Sequence, residues 1–179
     1  MFSYRQEVYK TYYFDALLMV FHIILIFYQK PLENHSYWHM YVKAILYNQC
    51  SYPYQQEEII SYANSYGYTL KDYDIKQILA LNSNALYASW MNEKHVFEQS
   101  YIIKEKNQVV HGFMDLVIYK EDEIIIIDFK TDATDNENKL IDMYAPQLQT
   151  YKHSMERITD LPIKTYIYAF SLSKCIYLE

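Results

Sequence analysis

The sequence predicts a mixed α/β (α+β) fold, with a central sheet flanked by helices and a helical N-terminal part. Three observations carry that prediction. Residues 109–131 read as two strands joined by a short polar turn. The stretch before them shows helical periodicity. The stretch after them reads as one helix followed by two short strands. With 179 residues, 51% of them apolar, the chain has material for one domain with a real core. The expected division is an apolar N-terminal segment over 1–33, a helical part over 34–95 and a sheet core over 96–179.

Composition excludes several classes. Two glycines and no G-x-x-x-x-G-K-[ST] argue against a phosphate-cradling loop, so no ATP site is expected. Two cysteines, Cys50 and Cys175, are too few for a disulfide framework or a four-cysteine iron–sulfur cluster, and they fit a reducing, cytoplasmic setting. A net charge of −6 argues against tight autonomous binding of nucleic acid, which usually needs a basic surface.

Taken in order, Ala16–Tyr28 is apolar apart from His22. It is shorter than the roughly 20 residues that span a bilayer, and no small-x-small cleavage site follows, so no membrane association is expected. It reads as an element buried against the domain or a partner. Asn34 is a candidate N-cap for a helix running to Asn48, with His39, Val42, Ile45 and Leu46 at 3–4 spacing on one face. His35 and His39 form H-x-x-x-H, but Ser36 stands where a zinc protease has glutamate. Ser51–Gln56 is a loop around Pro53. Further helices are expected over Glu57–Tyr66, stopped by Gly67, over Lys71–Leu81 and over Asn84–Asn92. Their apolar residues Ile75, Ile78, Leu79, Leu86 and Trp90 are assigned to the core.

Val96–Glu105 reads as the first strand, turning at Lys106-Asn107-Gln108. Val109–Tyr119 and Ile124–Phe129 follow as a hairpin. With Glu121 and Asp122 as turn residues, Lys120 faces Glu123 and Asp115 falls opposite Asp128. Opposed residues of an antiparallel pair have Cβ atoms roughly 4.5–5.5 Å apart, so the two carboxylates repel unless a positive group lies between them. Lys130 projects from the same face as Asp128. Two carboxylates and an ammonium aimed at one point suit a hard divalent cation. A surface hairpin with unrelated charges remains the alternative from spacing alone. The four isoleucines 124–127 suggest a strand covered on both faces, and Gly112 permits a bend or a close approach. Asp132–Lys139 reads as a polar loop. Tyr144–Arg157 reads as a helix with Pro146 in its first turn, and Gln147 and Tyr151 lie four apart on one face. Ile163–Phe170 and Lys174–Leu178 are the last strands.

Gly112-Phe113-Met114-Asp115, then Ile127-Asp128-Phe129-Lys130-Thr131, then Gln147-Leu148-Gln149-Thr150-Tyr151, resembles the PD-(D/E)XK nucleases. The resemblance is greatest to the RecB/AddA-type nuclease domain of bacterial recombination helicases, over residues 34–171. It implies a restriction-endonuclease-like core and metal-dependent hydrolysis of DNA, exonucleolytic on single strands or ends, beside a helicase in repair or recombination. It implies that Asp115 and Asp128 bind Mg²⁺ or Mn²⁺, with the Phe129 carbonyl and His39 completing the sphere. Lys130 then orients the attacking water, and Gln147 and Tyr151 position the phosphate or hold Lys130. Glu98 matches an acidic position of some members and would support the site, or else is a solvated strand charge. His111, beside Gly112, is assigned a structural or exposed place. A non-catalytic nuclease-fold module that binds a helicase or a DNA end is the alternative, favoured by the net charge and the apolar N-terminus.

Overall fold

The computed structural model of the chain describes Val42, Leu46 and residues 50–65, 69–105 and 108–178. The expectations for residues 1–33, most of the 34–48 helix, His39, Gly67 and the Lys106-Asn107 turn lie outside the described residues. All described residues belong to one compact unit.

Within residues 50–93, three helices precede the sheet: α1 (Gln56–Ser65), α2 (Asp72–Ser83) and α3 (Ala85–Trp90). They start where the sequence supplies caps. Asp74 reaches back to the Lys71 N–H at the start of α2, and Asn84 Oδ1 accepts from the Tyr87 N–H at the start of α3. The loop before α1 is pinned from α2. Asn82 accepts from Tyr54 N and donates to Tyr54 O, at 2.9 and 2.8 Å. Leu86 departs from its assignment to the core. It is 47% exposed, because a six-residue helix has one buried stripe and Tyr87 and Trp90 occupy it.

The sheet has five strands in sequence order: β1 (Lys94–Glu105), β2 (Gln108–Tyr119), β3 (Ile124–Lys130), β4 (Ile163–Ala169) and β5 (Lys174–Leu178). All neighbours are antiparallel except β3 and β4, which are parallel. A parallel neighbour requires a crossover, and α4 (Glu137–Glu156) supplies it. The isoleucine run behaves as its pattern predicts, since every residue of β3 is buried. Ile125, Ile127 and Phe129 pack with α1–α3, while Ile124 and Ile126 pack with α4.

The last helix differs most from the sequence reading. It begins at Glu137 rather than Tyr144, so the loop after β3 is short and Pro146 lies inside the helix. Asn136 is the reason for the earlier start, because its Oδ1 accepts from the Lys139 N–H. Pro146 is tolerated because it and Asp142, whose carbonyl loses its helical donor, are both exposed, so water replaces the missing bond.

The candidate active site at the fork of the sheet

The β2–β3 ladder runs from Tyr119–Ile124 to Leu116–Ile127, and Lys120 N donates to Glu123 O at 3.1 Å. This is the register expected for a Glu121-Asp122 turn. The next pair in register is Asp115 and Asp128, and there the ladder stops. Asp115 Oδ2 instead accepts from the Phe129 N–H at 2.8 Å. A buried carboxylate has replaced a backbone carbonyl as the acceptor, and the two strands part at that point.

The β1–β2 ladder is interrupted at the same level. Phe97 pairs with Leu116 and Gln99 with Met114, which leaves Glu98 in register with Asp115 but outside the ladder. Glu98 has φ 51°, in the left-handed region that costs a non-glycine residue about 1 kcal/mol or more. The alternation of faces inverts across this level. Phe97 and Leu116 pack on the α1–α3 side, whereas Tyr101 and Met114 pack on the α4 side. The hairpin arm beyond the fork is therefore turned over relative to the sheet behind it.

Asp128 and Lys130 face α4. Asp115 and Asp128 are 2% and 1% exposed, and Lys130 is 9% exposed. Charges this deeply buried need partners. Lys130 Nζ lies 2.6 Å from Asp128 Oδ2 and donates to Gln147 Oε1 at 3.1 Å. The Gln147 amide nitrogen donates to Asp128 Oδ1 at 3.3 Å and to the Tyr151 hydroxyl. Gln147 thus orients its amide by three bonds at once, and Tyr151 stands one turn further along the same face of α4. Burial and the nearby Asp128 carboxylate push the Tyr151 phenol well above its ordinary value, so it stays protonated.

Sequence reasoning missed three members of this arrangement. The Tyr144 ring lies under the Lys130 ammonium, 4.0 Å from Nζ, and its hydroxyl donates to Asp132 Oδ2 at 2.8 Å. Burial and the Asp132 carboxylate push the Tyr144 phenol up to about 12. The available signal was spacing, since Tyr144, Gln147 and Tyr151 share one helical stripe. Tyr101 meets Tyr151 edge-on at 5.5 Å and lies across Gly112, where an added Cβ would come within 2.6 Å of its hydroxyl. The glycine of the G-x-x-D element is required for room rather than for backbone freedom. His111 is exposed and meets Phe113 edge-on, in keeping with its structural or exposed assignment.

The sequence profile of the PD-(D/E)XK nuclease superfamily matches residues 20–173. This chain belongs to that superfamily. Its five-stranded mixed sheet between helices is the restriction-endonuclease-like arrangement expected of a PD-(D/E)XK protein. Among curated proteins it is similar to ATP-dependent helicase/nuclease subunits of several bacteria. It is 29% identical to that of Syntrophomonas wolfei over 54% of this chain and 9% of the relative. Against the Clostridium acetobutylicum protein the figures are 33% over 44% and 6%, and against Ligilactobacillus salivarius 39% over 41% and 6%. The matches thus span less than a tenth of those relatives. The PD-(D/E)XK domain described here is related to such subunits.

Superfamily members generally use divalent metals. At the fork the buried Asp115 carboxylate accepts from the Phe129 N–H, and the buried Asp128 carboxylate lies against the Lys130 ammonium, so one ammonium stands with two acids. Among the described residues no group of three histidine, cysteine or acidic side chains is gathered as a ligand set. His39, the expected further ligand, lies outside them. The oxygens present fit a hard cation, as a partial set.

Proposed function

We propose that this chain is a metal-dependent DNA nuclease that hydrolyses phosphodiester bonds on single strands or DNA ends, beside a helicase partner in repair or recombination. One observation supports the reading: Asp115 caps the Phe129 N–H between Asp128 and Lys130, which pair with each other, and Gln147 bonds both members of that pair from the helix face it shares with Tyr151. Asp115 and Asp128 are assigned as the ligands for Mg²⁺ or Mn²⁺, with the Phe129 carbonyl and His39. Such an ion supplies Lewis-acid chemistry, neutralising charge on the phosphate and making a nearby water more acidic.

The chain's own residues do the rest. Lys130 orients the attacking water and stabilises negative charge as it builds on phosphorus. Gln147 holds Lys130 and Asp128 at a fixed spacing, so the ammonium and the carboxylate meet the phosphate in one geometry. Tyr151, protonated at any ordinary pH, anchors Gln147 and can donate a hydrogen bond to a phosphate oxygen. Glu98, in register with Asp115, supports the cation side of the site. Cleavage leaves 5′-phosphate and 3′-hydroxyl ends. The single domain is assigned to the cytoplasm. No helix among the described residues is long and apolar enough to cross a membrane.

Asp128→Ala is the decisive variant. It should reduce Mn²⁺-dependent degradation of single-stranded DNA at least about a hundredfold, the scale for removing an essential group, while the circular dichroism spectrum is retained. Full activity in that variant would refute the assignment. The net charge of −6 favours a second reading, a non-catalytic module that binds a helicase or DNA end. A folded wild-type chain that cleaves no DNA with either ion, yet binds the helicase, would establish it.

A further inference from the structure

Lys130 has a third neighbour besides Asp128 and Gln147, and that neighbour is aromatic. The Tyr144 ring centroid lies 4.0 Å from Nζ, within the range for a cation held over a π face. The same residue donates its hydroxyl to Asp132 Oδ2 at 2.8 Å, two positions beyond Lys130. Tyr144 therefore grips the strand end twice, once at the ammonium and once at the chain that leaves it. A lysine side chain carries large rotamer entropy and presents three freely turning donors, so two polar partners alone leave it several placements. A ring face beneath the ammonium removes them.

We propose that Tyr144 is a positioning residue for Lys130. Its ring holds the ammonium beside Asp128, and its hydroxyl bond to Asp132 holds the ring. The contact itself is a property of the fold. Its consequence for turnover rests on the nuclease reading above. Gln147 and Tyr144 are three apart on α4, so one helix face sets both the polar and the aromatic side of the lysine.

The test uses the full chain as wild type, Tyr144→Phe and Tyr144→Leu. With lysines ¹³C-labelled, the Lys130 Cε–Hε signal is assigned by its loss in Lys130→Arg. It should be shifted upfield by the ring current in wild type and in Tyr144→Phe, and should return to the ordinary lysine position in Tyr144→Leu. In Mn²⁺-dependent degradation of single-stranded DNA, Tyr144→Leu should lower kcat about tenfold with KM within about twofold. Tyr144→Phe, which keeps the ring and loses only the bond to Asp132, should retain about a third of wild-type kcat or more. Should Tyr144→Leu not fold, Tyr144→Gln at the same half-buried position carries the same comparison. An unshifted Lys130 signal in wild type overturns the proposal. So does wild-type kcat in Tyr144→Leu, or a loss in Tyr144→Phe as large as in Tyr144→Leu. A ring-shifted Lys130 in a wild-type chain that cleaves nothing supports the contact and refutes the nuclease reading instead, so the two failures are distinct.

Discussion

Gly112 shows how one side chain's absence shapes the site. Its missing Cβ is the space in which the Tyr101 ring lies, and Tyr101 in turn braces Tyr151. Gly112→Ala should therefore push Tyr101 aside. The cost should be modest, about 1 kcal/mol of stability, because the half-exposed ring can swing rather than clash. Urea unfolding measures it, and a double-mutant cycle assigns it. In a Tyr101→Ala background the same glycine substitution should be close to neutral. An undiminished cost there would mean that Gly112 is needed for its backbone after all. A G-x-x-D pattern shows that a glycine matters without showing what fills its place, since that depends on which side of the arm Tyr101 occupies. The inversion of faces at Glu98 and Asp115 decides this, and the hairpin alternation alone does not contain it.

At the level of elements, the β2–β3 turn is held by charge rather than by favoured turn residues. Glu-Asp is a poor two-residue turn. Glu123 accepts from Lys120 at 2.7 Å and from Lys164 of β4 at 2.6 Å, so a strand that joins the sheet only after α4 clamps the turn. Those two ammonium groups hold the Glu123 carboxyl below its ordinary value of 4.5. A depressed folded value means stability that is present above the unfolded value and lost as pH falls through the folded one. Glu123→Gln should thus cost up to about 1 kcal/mol near neutral pH, allowing for the exposure of both lysines. The difference from wild type should shrink below about pH 4 and vanish under stronger acid. Thermal melts of both proteins across that range check it, and a gap that persisted in acid would refute the ionic account. The register of this hairpin was legible because the polar break is only four residues long, which leaves the isoleucine run to fold back on the strand before it. The extent of α4 was not legible. Proline normally opens a helix, and only exposure of Pro146 and Asp142 lets it stay inside one.

For the molecule as a whole, phenols dominate the titration. The chain holds 22 tyrosines. Burial pushes Tyr54, Tyr87, Tyr151 and Tyr168 well above their ordinary value of 10, and Tyr144 up to about 12. Here the folded values are raised, so the sign is opposite to that of Glu123. The phenolic part of the stability stays whole below about pH 10 and is lost as pH rises from there through the folded values, because the unfolded chain releases phenolic protons that the folded chain retains. Urea midpoints should begin to fall near pH 9, where the unfolded chain's Cys175 thiol ionises while burial holds the folded thiol up at about 12, and drop steeply between about 10 and 12, with tyrosinate absorbance appearing together with unfolding. Early, fully reversible ionisation of every tyrosine without loss of the fold would contradict this. Of the buried phenols, Tyr54, Tyr87 and Tyr168 line the layer of α1–α3 against the sheet, where Tyr54 and Tyr87 share a 2.7 Å hydrogen bond.

The sequence by itself determined the order of the candidate site residues and the hairpin that brings Asp115 level with Asp128. Those features are local: a short turn, a period of two and an apolar run set them. Tertiary structure alone decided that the ladder opens at that pair, that β3 and β4 run parallel across α4, and that Tyr144 and Tyr101 join the site. Each depends on contact between segments far apart in the chain, where packing against a neighbouring layer, rather than local periodicity, chooses which face a side chain meets.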